Sequence, residues 1–150
     1  MSRTSAVLGV VCIVGLLSAM VYTMALTPNP SSSGNSVVTV GGTSVSVTIL
    51  DTDAERAQGL SNHPGLRPDE GMLFIFPQDG QYSFWMKDML FSIDILWITA
   101  AGEIITIAPG VSPETFPRAF TSDSPARYVL EVPAGFVEAH GIKVGDTVSF

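Results

Sequence analysis

From residue 37 onward the chain is written in short apolar runs, broken every few positions by Gly, Pro, Asn or Asp. Residues 37–40 (VVTV) are followed by Gly41-Gly42. Residues 44–50 then alternate, with Val45, Val47 and Ile49 on one face. A two-residue period is the mark of a strand, and Gly-Gly between two such runs predicts a hairpin. Thr52-Asp53-Ala54-Glu55 is a capping-box pattern that predicts a short helix through Arg56, Ala57 and Gln58, stopped at Gly59. Residues 62–70 carry Pro64, Gly65 and Pro68 and are predicted as a loop. Further strands are predicted at 72–76, 82–86, 92–99 and 103–107, with turns at 77–80 and Ala101-Gly102. Residues 108–125 hold four prolines and predict a long loop. A strand at 127–132 follows. Pro133 suits the first position of a helix running through Glu138 and His140, with Gly141 as its cap. Residues 146–150 make the last strand.

This pattern predicts a mainly β (β-rich α+β) domain, small, antiparallel and barrel-like, with two short helices. Few connections are long enough for parallel units.

The N-terminal pattern is different. Residues 6–26 run without a charge, and a helix of that length covers roughly 30 Å, the thickness of a bilayer core. A cleaved signal usually has a shorter apolar region, of roughly 7–15 residues. The segment therefore reads as one transmembrane anchor. A cleaved signal, with Thr23-Met24-Ala25 at its cleavage site, and a buried helix of a soluble domain are the alternatives. Arg3 precedes the span and the next basic residue is Arg56, so the positive-inside rule places the domain on the extracytoplasmic side. Residues 27–36 (TPNPSSSGNS) are a linker, and 37–150 the domain.

Charge and cysteine narrow the functional classes. Seven Lys and Arg stand against 14 Asp and Glu, for a net charge of −7, which does not supply a phosphate-binding patch. The single cysteine, Cys12, lies in the span, so no intrachain disulfide is expected. No G-x-S-x-G, H-E-x-x-H, P-loop or dinucleotide fingerprint is present. No cofactor or metal is expected on these grounds, and the partners are the membrane, through residues 6–26, and an unidentified small molecule or protein.

The densest aromatic stretch, residues 71–98, carries a resemblance. Glu55-Arg56-Ala57-Gln58-Gly59-Leu60, Gly71-Met72-Leu73-Phe74, Phe84-Trp85-Met86-Lys87-Asp88-Met89 with Phe91-Ser92-Ile93-Asp94, Leu130-Glu131-Val132-Pro133-Ala134-Gly135-Phe136 and Val144-Gly145-Asp146 follow one another in order. Together they resemble the domain-of-unknown-function family numbered 192, also called uncharacterised protein family 0127, over roughly 45–150. The resemblance implies a domain and no reaction. Asp88 stands where the family has Asn, Met89 where it has Thr, and Ser92 where it has Pro. An Asn-to-Asp change trades an amide donor for an acceptor-only carboxylate, so a ligand held through that amide would differ here.

Candidate chemistry follows from the polar residues among apolar neighbours. In 92–98 the alternation sets Asp94 beside Leu96 and Ile98, away from Ile93, Ile95 and Trp97. A carboxylate in that company needs a partner, and Arg56 or Lys87 could supply it; an Arg56–Asp94 pair holding the helix to the sheet is the structural expectation. Glu131, on the face of Val129 and opposite Tyr128, Leu130 and Val132, could join Asp94 as an acid/base pair for a carbohydrate-like substrate. Trp85, Met86, Lys87, Asp88 and Asp94 form a candidate ligand groove, with the indole as a stacking face. Met86, Met89 and His63 could alternatively bind copper through soft thioethers, and core packing is the plainer use of the methionines. The leading expectation is a non-catalytic binding or accessory module of the cell envelope.

Overall fold

The computed structural model describes residues 36–150. The predicted anchor at 6–26, and the linker up to Asn35, lie outside the described residues. Among the described residues no helix is long and apolar enough to cross a membrane.

The hairpin forms where Gly41-Gly42 asks for it. Strands β1 (Ser36–Val40) and β2 (Thr43–Leu50) pair antiparallel with Val40 opposite Thr43. Both turn glycines have positive φ, 53° and 89°, the backbone that a two-residue hairpin turn requires. Helix α1 (Asp53–Gln58) starts on the predicted capping box: the Thr52 hydroxyl accepts from Glu55 N–H, and the Glu55 carboxylate accepts from Thr52 N–H.

Strand β3 (Glu70–Gly80) is longer than predicted and absorbs the turn expected at 77–80. Pro77 has no N–H to give the ladder, and pairing with the neighbouring strand is irregular between Ile75 and Gly80. Then come β4 (Phe84–Trp85), β5 (Ile93–Ile98), β6 (Ile104–Val111), β7 (Ala119–Phe120), β8 (Ala126–Pro133), helix α2 (Phe136–Ala139) and β9 (Val148–Ser149). The predicted loop at 108–125 thus contains the end of β6, a 3-10 turn at Pro113–Thr115 and β7. Pro133 does not open a helix. It closes β8 opposite Ile93, and α2 begins after Gly135.

Seven strands form one sheet in the order β6-β5-β8-β3-β2-β1-β9, and β4 pairs with β7 apart from it. All pairings are antiparallel except β2 with β3, whose crossover holds α1 and the 62–70 loop. The sheet curls into a half-barrel, and its two edges meet at one end. Glu103 bridges Thr147, and Val148 N–H donates to the Gly102 carbonyl at 2.7 Å. Gly102 has φ 85°, and a Cβ there would lie 2.5 Å from the Val148 carbonyl oxygen. Only glycine fits that seam.

The sheet has a core on each face. The inner core takes side chains from all seven strands, including Val40, Val45, Leu73, Leu96, Leu130 and Val148, with Phe136 of α2 against them. The outer core lies over β3, β5 and β8 and contains Phe74, Ile95, Trp97 and Val129, covered by Leu60 and Met86. The segment rich in aromatic residues is the lid of this second core.

Candidate functional site

Asp94 belongs to the inner face. It is fully buried, in register with Val132 of β8. One carboxylate oxygen accepts from Gly110 N–H at 2.7 Å and Gly135 N–H at 3.2 Å, and the other from Val137 N–H at 2.9 Å. Helix α2 has no cap from its own N-cap residue, Gly135, and Asp94 supplies the missing acceptor from another strand. The two sequence motifs at 84–94 and 130–136 are therefore joined by this one carboxylate.

The predicted Arg56–Asp94 pair does not form. Arg56 donates to the Asp51 and Ile75 carbonyls and pairs with Asp53, and its guanidinium lies over the Phe76 ring, 5.3 Å from the centroid. Arg56 is on the outer side with α1, while Asp94 is on the inner face. Lys87 is exposed and is not a partner of Asp94 either.

Glu131 points the other way. It is in register with Met72 on β3 and Ile95 on β5, both in the outer core. The predicted Asp94/Glu131 acid/base pair is therefore split by the sheet itself, because residues one position out of register project from opposite faces. Glu131 is 6% exposed, and its Oε2 has no hydrogen-bond partner among the described residues. Burial pushes its carboxyl up to about 8, so that at neutral pH it keeps its proton.

Glu131 lines a cavity of about 270 Å³ on this outer face. Its walls include Phe74 and Phe76 of β3, Tyr82, Trp85 and Met89, with Arg56 and residues 57–61 on the side of α1. Local packing fixes the walls. Buried Trp97 donates its indole N–H to the Tyr82 carbonyl at 2.9 Å. Phe84 meets Phe74 edge-on at 4.8 Å, and Phe76 stacks on Tyr82 at 3.5 Å. Trp85 is 60% exposed at the rim, 6.3 Å from Phe116.

The remaining signature residues hold the lid in place. Met86 is 2% exposed, in the outer core. Lys87 and Asp88 have exposed side chains, and their backbone carbonyls accept from the Ser61 hydroxyl at 3.0 Å and Asn62 N–H at 2.8 Å. Asp88 has φ 56°, a left-handed backbone that Asn and Asp tolerate better than other side chains. The Asn-to-Asp departure thus preserves the turn. Met89 does line the cavity, so the Thr-to-Met departure alters its wall.

The residues named for copper lie in the lid or against it. Met86 is in the core, Met89 is on the cavity wall, and His63 Nδ1 accepts from Gly65 N–H with its ring edge-on to Phe91. Of the residues named for the groove, Trp85 lines this cavity. Sequence reasoning named Glu131 for the wrong partnership and missed Phe74, Phe76 and Tyr82 as walls. Only the alternation in 127–132, which sets Glu131 apart from Leu130 and Val132, carried a signal for it.

A mainly β half-barrel with a capped inner core and a lidded outer cavity defines a domain class without an assigned reaction. Residues 36–150 match the model of DUF192, described as Uncharacterized ACR, and the chain belongs to that family. UPF0127 proteins of Thermococcus sibiricus and Thermococcus gammatolerans are each 26% identical to it over 106 residues, spanning 69% of this chain and 65% of theirs. Two crystal structures share the fold. One, a protein of unknown function from Novosphingobium aromaticivorans, has a TM-score of 0.72 at 29% identity, covering 76% of this chain and 84% of its own. The other, from Sinorhizobium meliloti and described as a "putative transcription regulator", has a TM-score of 0.69 at 32% identity, covering 75% and 88%.

Proposed function

We propose that the domain is a binding module that takes a small ligand into the outer cavity, with Trp85 at the mouth and Glu131 in the wall. The observation that carries this reading is the unpaired, buried carboxyl oxygen of Glu131 beside an open aromatic cavity. A buried polar atom without a partner costs about 1–3 kcal/mol, a cost that a ligand supplying the partner removes.

In this reading residues 6–26 anchor the protein in the membrane, and the domain is an accessory on the extracytoplasmic side. Support comes from the uncharged run of 21 residues and the basic residue before it. A DNA-facing role, as the Sinorhizobium relative's description would suggest, lacks support in a chain with twice as many acidic as basic residues.

A fragment screen by NMR tests the cavity. Ligands should move the Trp85 indole and Met89 methyl resonances and leave those of Ile104 and Val148 in place. Hits that cluster anywhere else on the domain, with the cavity silent, would refute the reading. Protease digestion of intact and permeabilised cells tests the placement of the domain.

A further inference from the structure

We propose that the ligand of this cavity is a small organic ammonium ion, with the Glu131 carboxylate as its counter-ion and the aromatic walls as its surroundings. The inference rests on the cavity reading above and adds the ligand's chemical class.

Three features of the site point to a cation. The Glu131 carboxyl lines the cavity on a side chain more than nine-tenths buried, and its Oε2 has no hydrogen-bond partner among the described residues. An ammonium N–H is the donor that completes it, and the pair gains strength where water is excluded. The rest of the wall suits the same guest. Phe74, Tyr82 and Trp85 add rings whose faces are electron-rich, and Met89 adds a polarisable sulfur. This wall already meets one cation, since the Arg56 guanidinium lies over the Phe76 ring.

The charges around Glu131 leave room for a second cation. From α1 the cavity is lined by Asp53 and Arg56, which pair with each other, and Arg56 also donates to two backbone carbonyls. From the lid the titratable neighbour is Tyr82, whose hydroxyl donates to the Gln78 carbonyl. The flanking strands present apolar Met72 and Ile95. Ionised Glu131 would be the one uncompensated charge among these lining groups. An anion would meet that carboxylate and an arginine already engaged.

The proton balance is simple. The empty site holds a neutral carboxylic acid below about pH 8. When the ammonium binds, the O–H proton leaves to solvent and the carboxylate stays against the N–H. Affinity must then rise with pH until the empty site is itself ionised, and fall about tenfold for each pH unit below that point.

The test uses the full chain in nanodiscs, with isobutylammonium chloride as the probe and isobutanol as its neutral match. The Trp85 indole N–H reports binding, and the Glu131 carboxyl carbon reports ionisation. The expected result at pH 8.5 is an ammonium affinity at least tenfold above that of the alcohol. It should weaken about tenfold per unit toward pH 6, with the Glu131 carbon shifting to its ionised position on binding. Glu131→Gln should abolish both the preference and the pH dependence. The wild-type pH profile stands without any variant. Equal affinity for the alcohol, independent of pH, would overturn the cation while leaving the cavity as a ligand site. Silence of every cavity resonance toward both probes, and toward the wider fragment set, would overturn both.

Discussion

Asp94 and Glu131 lie on adjacent strands one register position apart and face opposite sides of the sheet. Asp94 is satisfied by three backbone N–H groups on the inner face, and Glu131 is buried without a partner at Oε2 on the outer face. One carboxylate builds the fold, and the other is the one on which the proposed ligand site rests. The first four predictions below follow from that division and from the lid above it.

Asp94→Ala should leave the N–H groups of Gly110, Gly135 and Val137 without their acceptor. A loss of about 3 kcal/mol or more is expected, since hydrogen bonds to charged groups are each worth about 1.5–3 kcal/mol and buried orphans are costly. Urea unfolding measures it, with faster amide exchange at residues 135–140 as the local sign. A loss below about 1 kcal/mol would show that α2 does not depend on this carboxylate.

Glu131 makes stability depend on pH in a defined direction. Its carboxyl is raised from 4.5 to about 8 by burial, so between these values the unfolded chain releases a proton that the folded chain keeps. Its contribution is fully present below about pH 4.5, declines by about 1.4 kcal/mol per pH unit across the window, and is gone above about pH 8. Urea midpoints should fall from pH 5 to pH 8.5.

In Glu131→Gln that decline should be absent, because the amide does not titrate. At pH 8.5 the variant should be the more stable protein, and at pH 5 the two should be similar. Parallel pH profiles for the two proteins would place the titration elsewhere.

Trp85 and Met86 are chain neighbours with opposite predicted outcomes. Trp85→Ala, at an exposed rim, should change stability by less than about 1 kcal/mol and weaken ligand binding. Met86→Ala empties part of the outer core and should cost about 2–5 kcal/mol. Thermal unfolding of both variants separates the roles, and a severe loss in Trp85→Ala would make the indole structural.

Gly102→Ala should open the seam between the sheet edges. The added Cβ meets the Val148 carbonyl oxygen at 2.5 Å on a backbone with φ 85°, so the loss should reach about 2 kcal/mol. Hydrogen exchange at Val148 should report it first, and unchanged protection there would refute the seam's dependence on glycine.

Much of the fold could be read from local pattern. Gly41-Gly42 and the alternation of 44–50 specified the hairpin, and Thr52 with Glu55 specified the start of α1. Pro133 misled because its fixed φ suits a helix start and a strand end alike, and the acceptor that starts α2 comes from Asp94, far along the chain. The aromatic segment was legible as something packed. That it lids the outside of the barrel depends on the sheet order, which local periodicity does not encode. Glu131 was visible as a carboxyl on an alternating strand. Its solitude depends on what β3, β5 and the lid place around it, and those are contacts across the chain.

The two-sided burial of β8 also bears on how the chain finds its alignment. Leu130 and Val132 serve one core, and Val129 and Glu131 the other. A slip of one residue would drive the Glu131 carboxyl into the inner core and turn Leu130 and Val132 outward. A misaligned chain would thus carry the cost of an acid buried without a partner. The carboxyl that lines the cavity in the native sheet would therefore disfavour the wrong strand alignment.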